Sequence, residues 1–291
     1  MATVRFHSAS LFFFLALAPN LWADELNAAK FGSGFFLPSY DAKGGLAWEA
    51  RGSCAEMDKK TRLMILRNVS VQFFSNFIRQ AKTIAFVSQF AKFDGESDSM
   101  SGEGFIHVSG DGFTAIGSHW TFRGRERAVQ IDRDVQAFFE CTENLNCSDH
   151  SDDCNFTATC GGRLHILDGE GMQNLHFTGP VRLWTQNYSL CCDKLSVKMA
   201  AQRSEEVCGQ ELPSEPFHRI HGSGHVAMDD PERHVEAGDV LIFVGNGGAI
   251  VFSGDVAVSK KDGEESSGQL ALLRGGRLVF VDDGGSCLGI N

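Results

Sequence analysis

Residues 238–258 read GDVLIFVGNGGAIVFSGDVAV: an apolar run, a turn at Asn246-Gly247, and a second run that alternates through Val256 and Val258. In a strand, alternate side chains face one side, so Leu241 with Phe243, Ile250 with Phe252, and Val256 with Val258 are expected to share a face. The pattern recurs earlier in the chain. Residues 117–137, GSHWTFRGRERAVQIDRDVQA, lie over 238–258 without a gap, matching Gly117 to Gly238, Phe122 to Phe243, Gly124 to Gly245, Ala128 to Ala249, Asp134 to Asp255 and Val135 to Val256. Upstream, Gly102-Glu-Gly104 before Phe105–Val108 echoes Gly222-Ser-Gly224 before His225–Met228. Two related β units in tandem are the simplest account.

The rest of the chain has the same character. Phe105-Ile-His-Val108, Ala128-Val-Gln-Ile131, Val181-Arg-Leu-Trp184 and Val226-Ala-Met228 are strand-like, and Asp94-Gly95, Asp111-Gly112, Asp168-Gly169 and Asp262-Gly263 punctuate them as turns. Residues 71–82, VQFFSNFIRQAK, admit a short amphipathic helix with Phe73, Phe74, Phe77 and Ile78 on one side; the β-rich flanks favour strand. The 291 residues, with 32 Gly and 6 Pro, therefore predict an all-β meander of hairpins, a quasi-linear architecture rather than a compact enzyme core.

A net charge of −11 gives no general attraction for nucleic acid or anionic lipid surfaces, and the densest basic patch, Arg123, Arg125 and Arg127, is broken by Gly124 and Glu126. Residues 1–23 read as a secretory signal: Arg5 and His7, the apolar Leu11–Ala18, then Pro19, Asn20 and Ala23 before Asp24. Cleavage near Ala23 is expected, with an uncleaved inner-membrane anchor as the alternative. Export permits disulfides among the nine cysteines. Cys141, Cys147, Cys154 and Cys160 crowd one polar stretch without zinc-knuckle spacing and suit local disulfides, with a metal site shared with Asp149, His150, Asp152 and Asp153, or free thiols, as the alternatives. The neighbours Cys191 and Cys192 rarely bond each other, which makes Cys208 or Cys54 a partner for one of them.

Catalytic motifs are missing: no nucleophile elbow, P-loop, dinucleotide fingerprint or zinc helix occurs. His218, His221, His225 and His234 near Glu236 are spaced so that strands would not bring them to one face, and the carboxylate pairs Asp229-Asp230 and Asp282-Asp283 sit at strand ends as solvated turns do. The expectation is a non-enzymatic protein with no cofactor and no metal.

The second half is marked by Gly222-x-Gly-x-Val226, by His234-Val-Glu-Ala-Gly-Asp-Val-Leu-Ile-Phe243, by Ile250-Val-Phe-Ser-Gly-Asp-Val256, and by Gly268–Leu273 leading to Arg277-Leu-Val-Phe280. These stretches resemble the OstA-like β-jellyroll family of lipopolysaccharide-transport proteins, which includes LptA, LptC and the N-terminal domain of LptD. In the first half, Leu37-Pro-Ser-Tyr-Asp-Ala-Lys-Gly44 with Trp48, then Leu66-Arg-Asn-Val-Ser-Val71, resembles the LptC version. The Cys-rich stretch, the Cys pair and the cleavable leader depart from the family.

The resemblance implies an open V-shaped stack of two sheets. After the leader at 1–23, the chain divides into a first unit at 24–140, a Cys-rich insert at 141–174 and a second unit at 175–291. The resemblance also implies periplasmic transport of lipopolysaccharide or a related glycolipid, with acyl chains shielded in an apolar trough, and pairing with other jellyrolls through edge strands. The trough residues would be Ile106, Val108, Val129 and Ile131 in the first unit and Val226, Met228, Leu241, Phe243, Ile250, Phe252, Val256 and Val258 in the second. Two readings stand beside it: these side chains are simply packed core, or the chain is a secreted β-rich structural or adhesin-like protein held by disulfides.

Overall fold

The computed structural model describes residues 34–58, 61–74, 82–140, 155–169, 172–200, 204–207, 210–213, 218–244, 249–274, 276–281 and 287–290. Twenty strands follow in chain order: β1 (Phe35–Tyr40), β2 (Leu46–Gly52), β3 (Cys54–Met57), β4 (Met64–Phe74), β5 (Lys82–Asp94), β6 (Ser99–Gly110), β7 (Phe113–Arg123), β8 (Ala128–Phe139), β9 (Phe156–Cys160), β10 (Arg163–Gly169), β11 (Met172–Trp184), β12 (Ser189–Ala200), β13 (Ser204–Val207), β14 (Gln210–Pro213), β15 (His218–Asp229), β16 (Arg233–Val244), β17 (Ala249–Lys260), β18 (Glu265–Arg274), β19 (Arg277–Val281) and β20 (Cys287–Ile290). Eighteen of them form one antiparallel sheet, and β13 with β14 makes a separate hairpin. No helix occurs among the described residues, so none is long and apolar enough to cross a membrane. Residues 71–74 belong to β4, as the strand reading expects; residues 75–81 lie outside the described residues.

The sheet is a meander in which each strand pairs with its neighbour in sequence. Two places vary the rule. β2 and β3 pair with successive halves of β4, turning at Gly52-Ser53. β9 and β10 likewise fill one strand position between β8 and β11, turning at Gly161-Gly162. Residues 156–169, inside the expected insert, are thus part of the sheet.

The long strands are bent midway. The ladder register breaks between Ser88 and Lys92, Gly102 and Phe105, Ile116 and Ser118, Thr178 and Val181, Cys191 and Lys194, Ser223 and Val226, Glu236 and Asp239, and Ser253 and Val256. These breaks follow one line across the sheet. Residues in the left-handed region cluster on it, among them His119, Asp134, Gly179, Gly224, His225 and Asp255. Bulges sharpen bend and twist, so the sheet folds along this line into two arms.

Rings from the two arms meet in the interior. Phe73 packs edge-on against Phe122 at 5.3 Å, Trp48 meets Phe122 at 5.3 Å and Phe86 meets Trp120 at 5.4 Å, none of them between ladder neighbours. One buried cluster runs from Phe35 to Phe280.

The internal repeat has a local physical basis. Asp134 and Asp255 both take positive φ, 54° and 51°, at the bulges of β8 and β17. Gly117 and Gly238 lie against those bulges: a Cβ at Gly117 would stand 2.7 Å from the Arg133 carbonyl, and one at Gly238 3.3 Å from the Gly254 carbonyl.

Candidate functional site

The expected trough residues line the space between the arms, with two exceptions. Ile106, Val108, Val129, Ile131, Val226, Met228, Phe252, Val256 and Val258 are 0–3% exposed, and Ile250 is 9% exposed. Leu241 and Phe243 instead fall on the outer face and stay half-buried, while Val240 and Ile242 point inward. The cause is the register break between Glu236 and Asp239. Arg233 and Val235 face inward before it; the odd-numbered set then gives way to Val240 and Ile242. Gly238 inside the strand was the available signal, because glycine inside a strand often marks a bulge.

The lining differs along the chain. Between β2 and β8 the interior is filled by aromatic rings, whereas from β15 to β19 it is mostly aliphatic, with Val226, Met228, Val240, Ile250 and Val256 around Phe252. Such a surface offers dispersion contacts and removal from water, worth about 0.8 kcal/mol per buried CH₂ group. It offers no nucleophile or acid–base pair. All these residues belong to one packed cluster.

A polar cluster bridges the mouth where the strand ends of the two arms come together. Arg127, in the β7–β8 turn with φ of 52°, donates to the carbonyls of Phe74 at 2.9 Å and Ala47 at 3.3 Å and to the Asp168 carboxylate. Thr83 donates to the same carboxylate at 2.7 Å, and Gln173 Nε2 to the Thr83 carbonyl at 2.9 Å. Asp168 and Gln173 are 4% and 2% exposed. Farther along the mouth, Arg233 bonds Asp230 at 3.0 Å and donates to the Gly276 carbonyl at 2.8 Å, again joining opposite strand ends. Sequence reasoning missed both bridges, since Asp168 reads as a turn residue and its partners are remote in sequence.

Among the described residues Cys54, Cys160, Cys191 and Cys192 are free thiols, so no disulfide joins Cys54 to Cys191 or Cys192. Cys160 and Cys192 both stand in register with Val181, on either side of β11. That separates them by two strand spacings, about 9.5 Å, beyond the roughly 7 Å Cα reach of a disulfide. Burial pushes the Cys160 thiol up, and pushes Cys192 up to about 12 with help from the neighbouring Cys191. Cys141, Cys147, Cys154 and Cys208 lie outside the described residues, as do Asp282 and Asp283.

Three of the described histidines hold separate carboxylate partners. His225 meets Asp193 at 2.7 Å, His234 meets Asp229 at 2.7 Å, and His221 faces Asp239 at 3.5 Å. No group of three potential metal ligands occurs among the described residues. Compared with family models, curated proteins and solved structures, the chain matches none.

Proposed function

We propose that the chain is a non-catalytic periplasmic protein of lipopolysaccharide transport or outer-membrane assembly, an OstA-like β-jellyroll that shields glycolipid acyl chains between the arms of its folded sheet. The observation that supports this most is the aliphatic interior from β15 to β19, buried between the two arms. Arms joined along one fold line can part at the mouth without breaking a ladder. A chain of net charge −11 has no bulk attraction for a phosphorylated glycolipid, so affinity would come from acyl burial. Partner jellyrolls would add at strand edges: on β18, β19 pairs with Ala271–Arg274, which among the described residues leaves Glu265–Gly268 as an edge of one arm.

The second reading, a secreted structural or adhesin-like protein, is favoured by the tight burial of the same residues. Photo-crosslinking separates them. A photoreactive residue at Phe252 in the mature chain, residues 24–291, should capture lipopolysaccharide, while one at outward Asp239 should not. A folded protein that gives no crosslink at Phe252, Ile250 or Val226 overturns the carrier reading in favour of the structural one.

A further inference from the structure

The outer face of the sheet changes character along one row of paired residues. From β5 to β8 the row is polar: Lys92, Ser101, Thr121 and Gln130 stand side by side. It continues through His165, His176, Ser196 and His221. On the last strands it becomes aliphatic, with Leu241 opposite Val251, Val251 opposite Leu272 and Leu272 opposite Val279. Each of the four keeps part of its surface in solvent. Across four strands at about 4.8 Å spacing they form a strip about 14 Å wide. β16 to β19 are thus apolar on both faces, a pattern normally seen where a layer covers each side.

Charge indicates what covers this one. The next row toward the mouth runs Lys198, Arg219, Phe243, Ala249, Arg274 and Arg277, each opposite the next. Its four cations are exposed, and Arg219 lies over the Phe243 ring at 6.0 Å. None of the four is in an ion pair among the described residues, although Arg277 shares a surface depression at the mouth with Glu232 and Asp262. On the opposite border, toward the fold line, Asp239 is answered by His221 at 3.5 Å. The strip is therefore polarised, cations along one edge, in a protein whose net charge is −11.

We infer that the outer face of β16 to β19 docks on an anionic lipid bilayer, with Leu241, Val251, Leu272 and Val279 against the acyl boundary and Lys198, Arg219, Arg274 and Arg277 among the headgroups. Apolar side chains flanked by Lys and Arg are the chemistry of an interfacial anchor. A second copy of the chain would bring the same cations to the contact, whereas anionic headgroups take them up. The inference uses the outer face alone and stands apart from lipid carriage in the interior.

Co-sedimentation of the full chain with phosphatidylcholine vesicles, with and without phosphatidylglycerol, tests it. Binding should be at least about tenfold stronger to the anionic vesicles and should weaken with added salt. Arg219→Glu with Arg274→Glu should remove that preference. Val251→Asn with Leu272→Asn should lower binding by a similar factor with every cation in place, and Thr121→Asn on the polar part of the row should change nothing. Circular dichroism and urea midpoints establish that each variant is folded. Equal binding to neutral and anionic vesicles, or none by folded protein, overturns the inference. So does a wild-type dimer that Val251→Asn with Leu272→Asn dissolves, which would make the strip an interface between copies.

Discussion

The Thr83 hydroxyl donates to the Asp168 carboxylate at 2.7 Å, tying β5 at the end of one arm to β10 at the end of the other. Arg127 completes the bridge by holding the same carboxylate and the Phe74 carbonyl, with its guanidinium 5.5 Å over the Phe73 ring. Asp168 is almost fully buried, so these donors stand where water would otherwise solvate its carboxylate.

Removing the cation should be costly. Arg127→Ala leaves a buried carboxylate short of its main partner and should destabilise the fold by about 3 kcal/mol, less than that if water reaches the side chain through the mouth. The urea midpoint measures it. Thr83→Val removes one neutral donor and should cost about 1 kcal/mol. If the bridge holds the arms together, Arg127→Ala should also raise crosslinking of lipid at Phe252.

Gly117 and Gly238 occupy matching places in the internal repeat but differ in room. A Cβ at Gly117 would stand 2.4 Å from Ile131 Cγ2 and 2.7 Å from the Arg133 carbonyl; at Gly238 the nearest atom is 3.3 Å away. Gly117→Ala should therefore cost about 1–3 kcal/mol, and Gly238→Ala clearly less. Thermal unfolding of the two variants gives the order, and equal effects would show that the first site relaxes.

Phe252 and Phe243 separate the interior from the outer face. Phe252 is fully buried, and Phe252→Ala should lose about 3–5 kcal/mol in denaturant unfolding. Phe243 shares a half-exposed surface with Arg219, and Phe243→Ser should cost about 1 kcal/mol or less.

These residues also mark what the sequence revealed. Period-2 alternation and Asp-Gly turns were enough for the all-β meander, because strand pairing between neighbours is local. They were enough, too, for the inward sides of Ile106 and Val108 or Ile250 and Phe252, which lie within one unbroken half-strand. They failed at Leu241 and Phe243, where a bulge between Glu236 and Asp239 shifts the inward set and one slipped residue exchanges the faces. The Arg127–Asp168 bridge was not legible, since it joins strand ends that meet only once the sheet folds.

Thiol reactivity follows from the same placement. Cys192 and Cys160 are buried with their thiols pushed up, so little thiolate forms near neutral pH, while Cys54 and Cys191 are only part-buried. Labelling of native protein with an aromatic disulfide reagent, followed by peptide mapping, should modify Cys191 and Cys54 well before Cys192 and Cys160. Denaturant should erase the difference. Fast labelling of Cys192 in folded protein would mean that the arms open far more often than a closed core allows.

The histidines should give the fold a weak, oppositely signed pH response. Donation to the Asp193 carboxylate raises His225, and donation to the Asp229 carboxylate raises His234, helped by Glu236. A group whose folded pKa is raised stabilises fully below its unfolded value, about 6.5, and loses that contribution as pH climbs through the folded value. Burial lowers His165 and His176, which stand opposite each other on β10 and β11. Their protonation is disfavoured in the fold, so they oppose it as pH falls from the unfolded value through the folded one. Between pH 7 and 5 the two pairs should therefore partly cancel. Asp193→Asn removes one favourable member and should tilt the balance toward lower stability at pH 5 with little change at pH 8. Histidine NMR titration checks the premise directly: His225 should titrate above His176 in the wild type and move down in Asp193→Asn, and a His225 midpoint unchanged by that substitution would refute the assignment.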